Sequence, residues 1–239
     1  MGGPVANVQR YVSDELTHFV GRGMTAAEQY ELLKAILNGG QLAQPSFAFD
    51  RPPELTINYA GSICNDDMFS PQIICFCDIP VADLDIHMRK YSRFGMSFGK
   101  EFLVPRGATP VFYVAKNVLA PPETRCDYFD RMLKDSEDLL SLFQRWISSS
   151  RIEEASDLTR RLVEFRRFLD FGVFSFVKFF DDTHPEDHDE NYYMEREWRL
   201  LGGVRFSLDD IARIILPRDY AKRFRTEVPS YFGQLTIVD

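Results

Sequence analysis

Residues Ile73 to Ile79 read Ile-Ile-Cys-Phe-Cys-Asp-Ile, a nearly continuous apolar run. A run this short, closed by Pro80, has the signature of a buried strand. Alternate side chains of a strand share a face, so Cys75 and Cys77 point the same way. Other strand signals surround it in the sequence. They are Leu16 to Val20, ended by Gly21-Arg22-Gly23, then Leu55 to Tyr59, Phe94 to Phe98 and Pro110 to Ala115. Phe174 to Phe180, Ile211 to Leu216 (ended by Pro217) and Gln234 to Val238 complete the set.

Helical patterns alternate with these strands. Thr25-Ala26-Ala27-Glu28 fits a capping box. Tyr30, Leu33 and Leu37, with Leu32 and Ile36, then make a broad apolar stripe that stops at Gly39-Gly40. Pro80 stands where a helix start tolerates proline, and Leu84, His87, Met88 and Tyr91 share one face of the helix that follows. Lys100 to Val104 reads as a short helical turn and Arg218 to Thr226 as a helix, and Val8 to Val12 has the pattern of a helix start. From Cys126 to Ile147, and again from Leu158 to Leu169, apolar residues recur at helical spacing. Two consecutive amphipathic helices with a short joint predict a helical hairpin inserted between strands. The expected fold class is α+β, one domain over residues 1–239 with an inserted helical pair at 126–170.

The stretch Tyr192 to Leu201 follows a polar, acidic loop (181–191) and ends at Gly202-Gly203. As one strand it would place Glu195, Glu197 and Arg199 on one face, with Met194, Arg196, Trp198 and Leu200 on the other. By spacing alone an edge strand with a solvated charged face is the more common case.

The chain has 239 residues, a formal net charge of −8 and 45% hydrophobic residues. That charge opposes a general electrostatic grip on nucleic acid. Neither a signal peptide nor a membrane-spanning apolar run is evident, so a cytoplasmic protein without a membrane partner is expected. Cys64, Cys75, Cys77 and Cys126 lack disulfide or zinc spacing, and reduced thiols are expected, with Cys75 and Cys77 buried. No dinucleotide fingerprint, nucleophile elbow or H-E-x-x-H helix is present. The Gly95 to Lys100 segment is one residue too short for a phosphate loop, and Glu101 stands where Ser or Thr should bind magnesium. His184 and His188 lie in the acidic loop, which reads as a solvated charge run rather than a metal site. His87 on an apolar helix face reads as core. His18, before a glycine-bearing loop, is better placed for function.

Several strings carry a family resemblance. They are Cys-Phe-Cys-Asp-Ile-Pro at 75–80, His-Met-Arg-Lys-Tyr-Ser-Arg-Phe-Gly at 87–95, Gly107, Pro-Val-Phe-Tyr at 110–113 and Glu-Arg-Glu-Trp-Arg at 195–199. With Ser13 to His18 and Ile211 to Pro217, they make the chain resemble the AbiGi family of bacterial abortive-infection, anti-phage proteins. The resemblance implies an antitoxin partnered with a nucleotidyltransferase-like toxin. A weaker resemblance to ADP-ribosyltransferases rests on a first strand with His18, the Ile36-Leu37-Asn38-Gly39-Gly40 helix end and a late Glu-x-Glu strand. It implies a split, mixed or antiparallel sheet and NAD as a substrate, with no tightly bound cofactor and no metal. In that likeness Glu197 is the catalytic carboxylate that stabilises an oxocarbenium-like state. Glu195 orients the acceptor, His18 contacts the adenosine ribose, Tyr91 stacks on nicotinamide and Arg199 meets a phosphate.

Three classes of function follow: an ADP-ribosyltransferase-like defence enzyme in which His18, Tyr91 and Glu197 converge, a non-enzymatic antitoxin that binds its toxin, and a nucleic-acid-acting protein using Arg160, Arg161, Arg166 and Arg167. The −8 charge opposes the third.

Overall fold

The computed structural model describes residues 13–120, 123–149, 155–185, 188 and 191–239; the Val8 to Val12 helix start falls outside them. Six α-helices are found among these residues: α1 (Ala26–Gly39), α2 (Asp85–Lys90), α3 (Lys100–Leu103), α4 (Arg125–Ser149), α5 (Ala155–Arg167) and α6 (Arg218–Glu227). The chain divides into two compact units. One comprises residues up to Phe49, Ile73–Pro110 and Glu195–Asp239, and the other Asp50–Gln72 and Val111–Met194.

The first unit is built on a seven-stranded mixed sheet, which accords with the expected α+β class. In spatial order its strands are Gln234–Val238, Ile211–Pro217, Gly95–Gly99, Glu15–Phe19, Ile73–Cys77, Glu197–Leu201 and Thr109–Pro110. Only the first pair is parallel, and α6 connects its two strands. The apolar run at 73–77 lies between two neighbours, which explains its composition. One sheet face carries Leu16, Ile74, Phe76, Met96, Phe98, Leu200 and Ile214, and α1 covers it with Tyr30, Leu33 and Leu37. The capping box at Thr25 and Glu28 forms as the spacing predicts. Gly40 ends α1 in the left-handed region at φ 58°, a conformation that favours glycine.

The second unit holds two small sheets and the two long helices. Leu55–Ile57 pairs antiparallel with Phe69–Pro71, and Phe112–Ala115 runs parallel to Val177–Phe180. Ile63, Met68, Leu133, Val177 and Phe179 form its core. Arg166 ties the helices down. Its guanidinium donates to Asp170 at 2.8 Å, to Glu137 at 2.7 Å and to the Tyr59 hydroxyl at 2.6 Å.

Several local expectations change. The expected 174–180 strand begins only at Val177, after a 3-10 turn at Phe174–Phe176, and the helix expected from Pro80 begins only at Asp85, after a 3-10 turn at Val81–Asp83. Cys64 and Cys126, 62 residues apart, are joined in a disulfide rather than reduced, and Cys75 is exposed while Cys77 is buried. Packing of the Ile63–Asn65 turn against α4 brings the first pair together, where the Ile63 amide also donates to Asp130 at 2.9 Å. The expected 110–115 strand splits. Thr109–Pro110 joins the large sheet, and Phe112–Ala115 belongs to the second unit. The expected 192–201 strand also divides. Tyr192–Glu195 is a 3-10 turn, and Arg196 adopts φ 44° before the strand begins at Glu197.

Candidate functional site

The left-handed Arg196 decides where the carboxylates go. Its carbonyl accepts the Asp78 amide at 3.1 Å, which anchors the kink to the end of the 73–77 strand. Glu195 therefore leaves the sheet plane before the strand starts. Its Oε1 accepts Lys90 Nζ at 2.8 Å and the Tyr91 hydroxyl, both from the C-terminal end of α2. Glu197 and Arg199, two apart on the strand, share a face as alternation requires. Arg199 Nε donates to Glu197 Oε1 at 2.7 Å, and Nη2 reaches Oε2 at 3.4 Å. Glu197 is 6% exposed and Arg199 7%, so this is a buried pair rather than a solvated charged face.

Strand register fixes which predicted residues can meet. Thr17 pairs with Cys77, and Cys77 pairs with Glu197. Residues directly opposite in antiparallel strands point to the same face, so Thr17, Cys77, Glu197 and Arg199 lie on the face away from the α1 core. The Thr17–Ser97 hydroxyl contact at 2.8 Å is on that face too. His18, the next residue, points to the other face and packs edge-on against Phe76 at 5.8 Å. The structure thus brings Tyr91, Glu195, Glu197 and Arg199 together and sets His18 apart from them.

Electrostatics agree with that grouping. Burial raises the Tyr91 phenol well above its ordinary value, and the Glu195 and Glu197 carboxylates raise it further, so Tyr91 stays protonated as a donor. The Arg22 guanidinium lies 5.2 Å from the Tyr91 ring centroid. Burial pushes the Cys77 thiol up to about 12, which leaves it an inert thiol at neutral pH. Burial lowers His18, against the opposing pull of the Cys75 carbonyl, to which Nδ1 lies at 2.8 Å. A carbonyl only accepts, so Nδ1 carries the proton there.

One residue of this site, Lys90, escaped sequence reading, and His87, read as core, is buried there. Lys90 does not belong to the apolar face of α2, yet its ammonium pairs with Glu195. His87 is 3% exposed, and neither ring nitrogen has a hydrogen-bond partner. Among the described residues no group of three or more His, Cys, Asp or Glu side chains could hold a metal ion.

A family model matches residues 63–227, more than half of the chain. The chain belongs to the AbiGi family. That family is described as "Putative abortive phage resistance protein AbiGi, antitoxin". The AbiGi match takes in the 75–80, 87–95 and 195–199 strings and therefore Tyr91, Glu195, Glu197 and Arg199, whereas His18 lies before it. No curated protein and no solved structure matches the chain. No helix among the described residues is long and apolar enough to cross a membrane.

Proposed function

We propose that this AbiGi protein serves in anti-phage abortive infection as an antitoxin that neutralises a cognate toxin by binding it. One observation carries the reading beside the family description. Each carboxylate of the polar cluster is answered by a cation of its own unit: Glu197 by Arg199, and Glu195 by Lys90. Buried charges matched in this way fix a strand and a helix end in place. A catalytic carboxylate instead needs its charge directed at a developing positive centre. On this reading the cluster is a rigid scaffold, and toxin recognition lies on the protein's surface.

Co-expression with a cognate toxin tests the idea. Wild type and Glu197→Gln, at a temperature where the variant remains folded despite its unpaired Arg199, should both restore growth and both co-purify with the toxin. Loss of neutralisation by a stably folded Glu197→Gln would sink the proposal.

A second reading is glycosyl transfer from NAD, in the manner of ADP-ribosyltransferases. The gathering of Tyr91, Glu195, Glu197 and Arg199 on one side of the sheet favours it. Here Glu197 would stabilise the oxocarbenium-like ribose, Glu195 would orient the acceptor, and Arg199 would meet a phosphate. The position of His18 does not fit the ribose contact. Release of nicotinamide by the wild type, abolished in Glu197→Gln, would establish this reading in place of the first.

A further inference from the structure

Helix α4 carries two apolar seams. Leu133 and Ile147 are buried on one side, and Phe129 packs against the same core. A neighbouring side, about 100° round the helix, exposes Met132, Leu139, Leu142 and Trp146, with Leu139 64% and Trp146 54% exposed. Met132, Leu139 and Trp146 are seven residues apart in turn, and Leu142 falls midway between the last two. That is the a/d spacing of a helix-pairing seam. A globular helix needs only one such stripe to face its own core. Contiguous exposed apolar surface marks an interaction site.

The charges beside the seam narrow the occupant. Asp138 and Arg145 are both exposed and one heptad apart on the same flank. Neither makes an ion pair among the described residues. In an antiparallel pairing of two identical helices centred between Ser141 and Leu140, Leu139 meets the second copy's Leu142, and the reverse. In the same register Asp138 and the second copy's Arg145 are offset by two residues along the helix axis, within reach of each other on the flank of the pair, and the contact repeats by two-fold symmetry. Trp146 meets the second copy's Arg131–Asp135 pair, whose guanidinium suits an indole face. An isologous contact demands this self-complementarity: residue i on j and j on i.

We propose that the outward face of α4 is a homodimer interface, in which the α4 helices of two copies pair antiparallel about Leu139 and Leu142. It stands independently of the antitoxin reading.

The full chain should sediment as a dimer at micromolar concentration. Leu139→Glu with Trp146→Glu should yield a folded monomer, with the circular dichroism spectrum unchanged because both side chains are exposed. The charge swap tests the register. Asp138→Arg alone places like charges at both symmetric contacts and should weaken dimerisation by about tenfold or more. Adding Arg145→Asp should restore affinity to within about threefold of wild type. A monomeric wild-type chain overturns the proposal. So does a double variant as weak as Asp138→Arg, or a dimer unaffected by the Leu139 and Trp146 substitutions.

Discussion

Arg199 and Glu197 show how much a single pairing decides. Both are nearly fully buried, and their ion pair is the contact that sequence spacing left open between a site and a solvated edge. Removing one member of a buried pair leaves an uncompensated charge, which destabilises by about 3–5 kcal/mol. Arg199→Met should therefore lower the urea midpoint sharply while leaving the m-value near that of wild type. His87 is the opposite case. Its ring packs against Phe19 and Tyr91, but both ring nitrogens are buried outside hydrogen-bond geometry, and an unsatisfied buried polar group costs about 1–3 kcal/mol. His87→Met, similar in volume and apolar, should raise the melting temperature. Burial also lowers the pKa of His87, against the Glu195 carboxylate, as it lowers that of His18 from 6.5. Below pH 6.5 the unfolded chain then binds more protons than the folded one. Stability from both histidines is full above that pH and is lost as pH falls below it. Denaturation midpoints from pH 7.5 to 5 should fall less steeply in His87→Met than in wild type.

At the scale of elements, helix punctuation was the most legible feature. The Thr25 side chain accepts the Glu28 amide, and Glu28 accepts the Thr25 amide, a local exchange that four residues specify without help from the fold. Thr25→Ala should destabilise by about 1 kcal/mol. Gly40→Ala should be worse, because the position has positive φ and an added Cβ would sit 2.9 Å from the Phe206 carbonyl oxygen. Thermal unfolding of the two variants measures both effects. The 192–201 element was not legible in the same way. Aromatic and apolar residues between turn signals favour one strand, but Arg196 turns left-handed and its carbonyl is claimed by Asp78, over a hundred residues earlier. Short-range pattern holds no record of that bond. The same holds for 110–115, where adjacent residues serve different sheets.

For the whole molecule, the net charge of −8 sets the expectation of no general grip on nucleic acid. Arg160 is answered by Asp157 and Glu164, and Arg166 by Glu137 and Asp170. Cations held by neighbouring carboxylates contribute little to counterion release. In fluorescence anisotropy, labelled duplex DNA should remain unbound at micromolar protein in about 0.15 M salt. The presence of two cores, one on the large sheet and one around Met68 and Phe179, shows how the chain is partitioned. Both units are assembled from segments that the sequence interleaves, so no compositional boundary marks the division. The Cys64–Cys126 disulfide belongs to the same scale, since 62 intervening residues conceal the proximity of its ends.

The sequence by itself determined the α+β class, the caps of α1, the 73–77 strand and the family. These follow from periodicity, from capping chemistry within four residues, and from strings of adjacent residues. The tertiary structure alone decided that Glu197 pairs with Arg199 in a buried row, that Glu195 swings to Lys90 and Tyr91, and that His18 faces the other way. Strand register sets which side chains share a face across neighbouring strands, and a left-handed turn at one residue redirects the carboxylate before it. Neither quantity is carried by the order of residues within a single element.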